Sequence, residues 1–443
     1  MPLNYLRRLG LFSATMSVVG GIIGGGIFRT PATVAERVGT PGMLILAWVI
    51  GGGVALIGAF CFGELGQRRP RAGGGYVYLR DAWGPLPAFL YGWTLVLVIA
   101  TGAIAAVAVT FANYALALTG LPERFTVPVA VGAIVLLAGI NYVGVKPAAI
   151  TQNIFTILKL AALAALIACG LLLAVPALPP VSMPSGPAAG IGAALVPILF
   201  TYGGWQQTNF VAEEIIEPER NLPRALVVGV VIVVTVYLLT NLAYLRILGH
   251  ARLALSTAPA ADTMQALLGP AGGKIIAAGI AVSTFGFLNL VILVTPRVLQ
   301  AMAADGVFFA KLAELHPGHR TPAAAIAALA GCAIVLTLTG TFGQLVDYVT
   351  FGDWIFFGLT VAGLFIYRRR EQGAGSGEQR VTFRVPGYPV TPALFVLAAA
   401  FVVYSAIRSN PVNAAIGAGL IALGIPAYLY WKRRTTPSRV FPP

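Results

Sequence analysis

Charge is scarce in this chain. Only 10% of its 443 residues are Asp, Glu, Lys or Arg, against roughly 25% in an ordinary soluble domain, and that scarcity excludes water as the main solvent. Cysteine is nearly absent: Cys61, Cys169 and Cys332 lie singly inside apolar runs, without CxxC or other ligand spacing. This argues against a zinc site or a structural disulfide. His250, His316 and His319 fall near loops and form no cluster, so neither a metal site nor a cofactor is expected. HExxH and GxSxG are missing, and no acidic pair stands one or four residues apart at a helix centre. An enzyme embedded in a membrane would lack its chemistry. A channel would want a continuous polar pore lining, and none is visible.

What the chain has instead is apolar surface. Hydrophobic residues make up 58% of it, in recurring runs of about twenty, each long enough to cross a hydrocarbon core of roughly 30 Å. Runs bounded by Gly, Pro and charge predict an all-α polytopic membrane protein of about twelve helices. They fall near 11–37, 41–66, 86–118, 125–143, 148–174 and 189–215, then 224–248, 273–303, 322–340, 345–367, 391–408 and 411–431. The first run carries no small-residue cleavage site, so no removable signal peptide is expected.

The formal net charge of +14 shows no basic stripe interleaved with aromatics, which argues against nucleic acid. The basic residues between helices fall mostly on one side, from Arg7, Arg8, Arg68 and Arg69 to Lys432, Arg433 and Arg434. The positive-inside rule then predicts that both termini are cytoplasmic. The polar, Gly-rich stretch Arg368–Pro389 reads as a cytoplasmic loop, so residues 1–443 are expected to form a single transmembrane domain.

Within the first run, GGIIGGGIF places Gly24, Gly25 and Gly26 about halfway along. Three consecutive glycines weaken a helix by roughly 1 kcal/mol each relative to alanine, and backbone unwound at that depth must be buried in protein or line a cavity. FTYGGW places Gly203 and Gly204 correspondingly in the sixth run. Interrupted helices in corresponding positions of two halves point to inverted repeats with a ligand site at mid-membrane, here 11–174 and 189–367, followed by two further helices within 391–431. Amides freed at one half-helix attract a carboxylate and carbonyls at the other accept an ammonium. An α-amino acid carries both groups.

Four segments carry a family resemblance: GGIIGGGIF, LFTYGGWQQTNFVAEEIIEPERNLPRAL (Leu199–Leu226), RVLQAMAADGVFFAKLAELHP (Arg297–Pro317) and FRVPGYPVTP (Phe383–Pro392). They resemble the amino acid, polyamine and organocation (APC) superfamily, within it the L-type amino acid transporter branch. The resemblance implies a LeuT-type fold of five plus five inverted repeats, alternating access, and secondary transport of amino acids. It maps carboxylate-binding amides onto Gly24, Gly25, Gly26 and Ile27, and amine-binding carbonyls onto Ile22, Phe200 and Gly203. Phe200 matches an aromatic outer gate, and Tyr237 a tyrosine near the site.

Lys159 sits about 16 Å into the fifth run by helical rise. A lysine at that depth costs at least about 2.5–3.5 kcal/mol on insertion, which makes it a functional candidate. The resemblance implies that its ammonium replaces the sodium ion of sodium-driven relatives, pointing toward Gly24 and toward Ser283 and Thr284 on helix 8, so transport should need no sodium. Asp353 departs from the pattern, because similar proteins carry Asn before the tryptophan matched by Trp354. A cationic substrate, a proton site, an ion pair or a structural hydrogen bond are all open there. Glu64, Glu213, Glu214 and Asp305 lie near cytoplasmic helix ends and are expected to pair with arginines. Gly25 stands where similar transporters carry serine, which favours small neutral amino acids such as alanine, serine or threonine. Animal members join a heavy chain through a cysteine after helix 3. The corresponding loop, LTGLPERF, has none, so a stand-alone carrier, functional as a monomer in a bacterial inner membrane with lipid and substrate as its partners, is expected.

Overall fold

The computed structural model describes residues 4–174, 178, 179, 181, 190–340, 342–373 and 382–434. Among them every regular element is helical. The first run is two pieces: α1 (Leu11–Ile22) and α2 (Thr30–Val38), separated by an unwound Ile23–Gly25 and a 3-10 turn at Gly26–Phe28. There follow α3 (Pro41–Arg68), a short α4 (Gly75–Trp83), then α5 (Pro85–Thr94) continuing through a π-helical turn at Leu95–Ala100 into α6 (Thr101–Thr119). Next come α7 (Thr126–Val143) and α8 (Val145–Leu172).

The second half repeats the device. α9 (Gly190–Thr201) breaks at Tyr202–Gly204 and resumes as a 3-10 segment, Trp205–Glu214. Then follow α10 (Pro218–Leu255), the short α11 (Pro259–Leu268), α12 (Pro270–Ala304), α13 (Ala323–Thr339), α14 (Phe342–Gly373), α15 (Val390–Ser409), α16 (Pro411–Ala422) and α17 (Gly424–Arg434). Eight helical segments among the described residues are long and apolar enough to cross a membrane, and α1 and α13 are shorter apolar helices. The chain is therefore an integral membrane protein.

Local signals set many boundaries. The Thr40 hydroxyl accepts the Met43 N–H and Pro41 opens α3, a preorganised start that uses a position with no donor to lose. Asn410 and Pro411 do the same for α16. Left-handed glycines Gly120 and Gly340 end α6 and α13. Two elements depart from the sequence reading: α4 and α11 are short helices where only loops were expected. α14 also runs on through Gly373, so Arg368, Arg369 and Arg370 belong to a helix end. The rest of the expected polar loop includes 374–381, which lie outside the described residues.

The two broken helices meet backbone to backbone. A Cβ on Gly21 would stand 2.9 Å from the Gly204 carbonyl oxygen, one on Gly204 would overlap the Gly21 carbonyl oxygen, and one on Gly26 would stand 2.8 Å from Thr201 Cγ2. Gly204 also holds φ +109°, where L side chains are strained. Around this crossing α1 packs on α10 and α8, α3 on α10, and α12 on α6 and α8.

The end of the bundle bearing the chain's first residues is closed by buried ion pairs. Arg297 meets Glu214 at 2.7 Å, with 0% and 1% of their side chains exposed. Glu64 accepts from Arg68 at 2.7 Å and Arg368 at 2.6 Å. Arg80 meets Asp305 at 2.7 Å. Glu213 accepts the Ala72 N–H, and the N–H groups of Arg8 and Leu9 donate to the Glu214 carbonyl.

Gly204→Ala should therefore destabilise strongly, because the backbone strain alone is worth about 1–3 kcal/mol before the collision with Gly21 is added. Gly53→Ala, at an exposed position of α3 where a Cβ meets nothing within 4 Å, should be neutral or mildly stabilising. Thermal unfolding in detergent, followed by the loss of monodisperse protein, reads the difference; equal melting temperatures for the two variants would contradict the crossing.

Candidate functional site

Unwinding α1 frees carbonyls that lipid cannot satisfy, and three neighbouring helices satisfy them. Lys159, fully buried on α8, donates from Nζ to the carbonyls of Gly20 at 3.1 Å and Ile23 at 2.7 Å. It acts as a cationic cap on the C-terminal end of α1, where the helix dipole is negative. Ser283 Oγ on α12 stands 3.3 Å from the carbonyl oxygens of both Ile23 and Gly24. The Tyr237 hydroxyl on α10 donates to the Ile22 carbonyl at 3.0 Å and stands 3.5 Å from that of Thr201. The Ile23 carbonyl thus joins α8 to α12, and Tyr237 joins the first broken helix to the second.

Gly286 lets α12 approach α8 closely here: a Cβ on it would stand 2.8 Å from Phe155 Cβ and in ordinary contact, 3.4 Å, with Lys159 Cε. Thr284 differs from expectation. Its hydroxyl donates back to Ile280 and Ala281 of its own helix, as threonines in apolar helices do, and it takes no part in the tether. The ammonium likewise points to Gly20 and Ile23 rather than to the hydroxyls of Ser283 and Thr284.

Beside the two breaks lies a cavity of about 270 Å³, lined by Gly24, Gly25, Gly26, Phe200, Gly203 and Asp353, with walls from α6, α12 and α14. Gly25 is exposed within it, and a Cβ added there would meet nothing within 4 Å. Its φ of −79° and ψ of −14° are ordinary for any residue, so the backbone there does not demand glycine. The amides of Gly26 and Ile27 open the 3-10 turn, where the first N–H groups have no intrahelical partner. The Gly24 amide instead donates to the Ile22 carbonyl at 2.9 Å, so that carbonyl, which also takes Tyr237, has both lone pairs engaged. The Phe200 carbonyl accepts the Gly203 N–H at 3.0 Å and keeps a second lone pair.

The Phe200 side chain is 51% exposed and stands at the cavity wall rather than closing it. Tyr237 and Ile27 are fully buried and lie off the wall. Asp353 is on it, with Trp354 and Phe357 of the same helix. Sequence reasoning missed Gln206 and Gln207, which line the cavity just past the second break. Their signal was two amide side chains inside an otherwise apolar run. Gln206 Oε1 accepts the Gly204 N–H at 3.0 Å, holding the strained glycine in place.

The cavity ends toward the chain's beginning at Phe210 and Thr295, two residues before Arg297 and its ion pair with Glu214. No lysine, arginine or histidine lines it among the described residues. Such a chamber suits a small bipolar ligand held by backbone dipoles. It offers no nucleophile with a neighbouring base and no metal ligand set.

The chain is similar to known amino acid transporters. The human large neutral amino acids transporter small subunit 2 is 32% identical over 450 residues, covering 97% of this chain and 81% of that protein. The human Asc-type amino acid transporter 1 is 31% identical over 443 residues, covering 97% and 83%. The serine/threonine exchanger SteT of Bacillus subtilis (strain 168) is 32% identical over 431 residues and covers 97% of each chain. The amino acid permease family model matches residues 9–430, and with a membrane-spanning helical bundle broken twice beside one cavity, the chain belongs to the amino acid permease family and is a transporter rather than an enzyme.

Proposed function

We propose that the chain is a sodium-independent secondary transporter that moves small neutral L-amino acids such as alanine, serine and threonine by alternating access. The observation that carries this is the meeting of both helix breaks at one cavity, with the tether of α1 supplied by a lysine. In this reading the substrate carboxylate lies on the amides of Gly25, Gly26 and Ile27, while its ammonium takes the remaining lone pair of the Phe200 carbonyl and the Gly203 carbonyl. Gly24 and Ile22 join only by giving up the hydrogen bond between them. Tyr237 then acts as a positioning residue that holds the two breaks in register, and Phe200 swings over the bound substrate as the outer gate.

The same reading takes α1 to α8 as the first inverted repeat, α9 to α14 as the second, and α15 to α17 as two added spans, twelve crossings in all within one domain. With both termini in the cytoplasm of a bacterium, the ion pairs around Arg297, Glu64 and Asp305 close the inner side and the exposed Gly25 and Phe200 face outward. The chain works alone as a monomer, with no cysteine in 118–125 to join a second subunit. SteT is named a serine/threonine exchanger, which supports a small hydroxylated or aliphatic substrate. Asp353 favours a second reading, in which a proton or a cationic amino acid is carried.

A cation bridging α1 and α12 would have to stand where the Lys159 ammonium and Ser283 now share the Ile23 carbonyl. Uptake of radiolabelled amino acid into proteoliposomes should therefore be unchanged when sodium is replaced by choline. Strict dependence on sodium would sink the mechanism. Lys159→Ala removes the cap, leaving the buried Gly20 carbonyl without that donor, a loss of about 1–3 kcal/mol, and the Ile23 carbonyl with Ser283 alone, so the mutant should insert while uptake falls at least about tenfold. Full activity in a well-folded mutant would count against the tether.

Gly25→Leu is the cleaner probe of the cavity. The backbone accepts any residue and the Cβ has open space, so the variant should fold with near-normal stability while its side chain fills the space over the amides. Substrate binding should then be lost. Normal transport by Gly25→Leu would show that the substrate lies elsewhere.

A further inference from the structure

Asp353 is the only ionisable side chain on the cavity wall among the described residues, and there it forms no hydrogen bond or ion pair. The buried charge nearby, Lys159, lies off the wall and is engaged with Gly20 and Ile23, so it does not contact the carboxyl. The Tyr91 hydroxyl lies within electrostatic range of Asp353 but makes no hydrogen bond with it among the described residues. Past the second break, Gln207 lines the same chamber, though its Oε1 is turned away into the protein. An acceptor that a ligand strips of water and leaves unpaired costs free energy, more so when it is charged, so a cavity with such a group on its wall favours a ligand that brings the missing donor.

Resting on the transport reading above, the breaks in α1 and α9 already claim the substrate's carboxylate and α-ammonium, so the part of the ligand left for Asp353 is its side chain. The cavity, about 270 Å³, lies at the lower edge of small-molecule pockets, which keeps that side chain short. We propose that Asp353 is a specificity-determining residue that selects amino acids whose side chain carries a hydrogen-bond donor, a hydroxyl or an amine, close to Cβ. Discrimination of this kind is far sharper than an apolar pocket achieves, because a ligand of the same shape without the donor leaves the carboxyl desolvated and unpaired.

Threonine and valine have nearly the same shape and differ in the donor, so their relative affinities for the wild-type protein test the proposal without a mutation. Displacement of a bound radiolabelled amino acid from the purified carrier should show threonine binding at least about tenfold more tightly than valine. Serine or 2,3-diaminopropionate should likewise beat alanine. Preference for serine over 2,3-diaminopropionate identifies the hydroxyl as the selected donor, and the reverse identifies the amine. In Asp353→Leu the threonine-to-valine ratio should fall to within about twofold. Asp353→Asn keeps an acceptor and loses the charge, so it should weaken 2,3-diaminopropionate more than threonine. Equal binding of threonine and valine by the wild type overturns the assignment, as does a ratio that survives in folded Asp353→Leu, or an Asn variant that holds 2,3-diaminopropionate undiminished. Failure to bind any amino acid would strike the transport reading itself, an outcome separate from amino acid binding without side-chain preference.

Discussion

Two helices cross here with no side chain between them. Gly21 and Gly204 bring the carbonyl of each chain against the α-carbon of the other, and the remaining architecture follows from keeping that contact. Close approach fixes where each helix can break, because carbonyls freed further along would have no neighbour. It also leaves a gap beside the crossing, a cavity lined by residues of both breaks. Small residues let backbones meet in a membrane. In this protein their effect is to place two half-helix ends at one cavity.

Such a junction survives in lipid only if every freed polar group finds a partner. Lys159, Ser283 and Tyr237 come from three different helices and converge on three consecutive positions of α1's end and break, Tyr237 on Ile22, Lys159 and Ser283 on Ile23, Ser283 on Gly24, with Lys159 also reaching back to Gly20. None of these bonds is strong singly. Their arrangement matters because any movement of α1 against the scaffold must break several together, so partly released states lie uphill and the junction favours discrete arrangements over a continuum. That is the property a carrier needs to avoid opening at both ends.

The fold was largely legible in the sequence because its signal is periodic and local. Apolar runs set the long helices, and three adjacent glycines marked the first break. What escaped was either short or tertiary. α4, between Gly75 and Trp83, carries Arg80 and Asp81 and is too short to register as a span. α11 is shorter than any apolar run that spacing can separate from a loop. No spacing rule says that the Tyr237 hydroxyl meets the Ile22 carbonyl of a broken helix while the residue stays off the cavity wall. Thr284 yielded to the nearest acceptor, its own helix, where a local bond competes with any long-range one. Three adjacent glycines do not say which of them the backbone needs: the dihedrals of Gly25 are ordinary, and the conformational demand falls on Gly204.

The charges of the molecule are divided by what they meet. At the end where the chain begins, the buried acids Glu64 and Glu214 are each held by arginines. Arg297, with Glu214 against it and the ring of Tyr5 5.9 Å away, stands just beyond the cavity floor. A buried pair of this kind contributes little net stability against an apolar substitute, but separating it leaves two desolvated charges. Opening that end therefore carries a high cost until water reaches it, which makes the pairs a barrier more than a brace. The cavity has no such matching: among the described residues its wall holds a carboxyl and no cation. Paired charges resist separation, whereas an unpaired charge on a cavity wall is satisfied only by water or by a ligand.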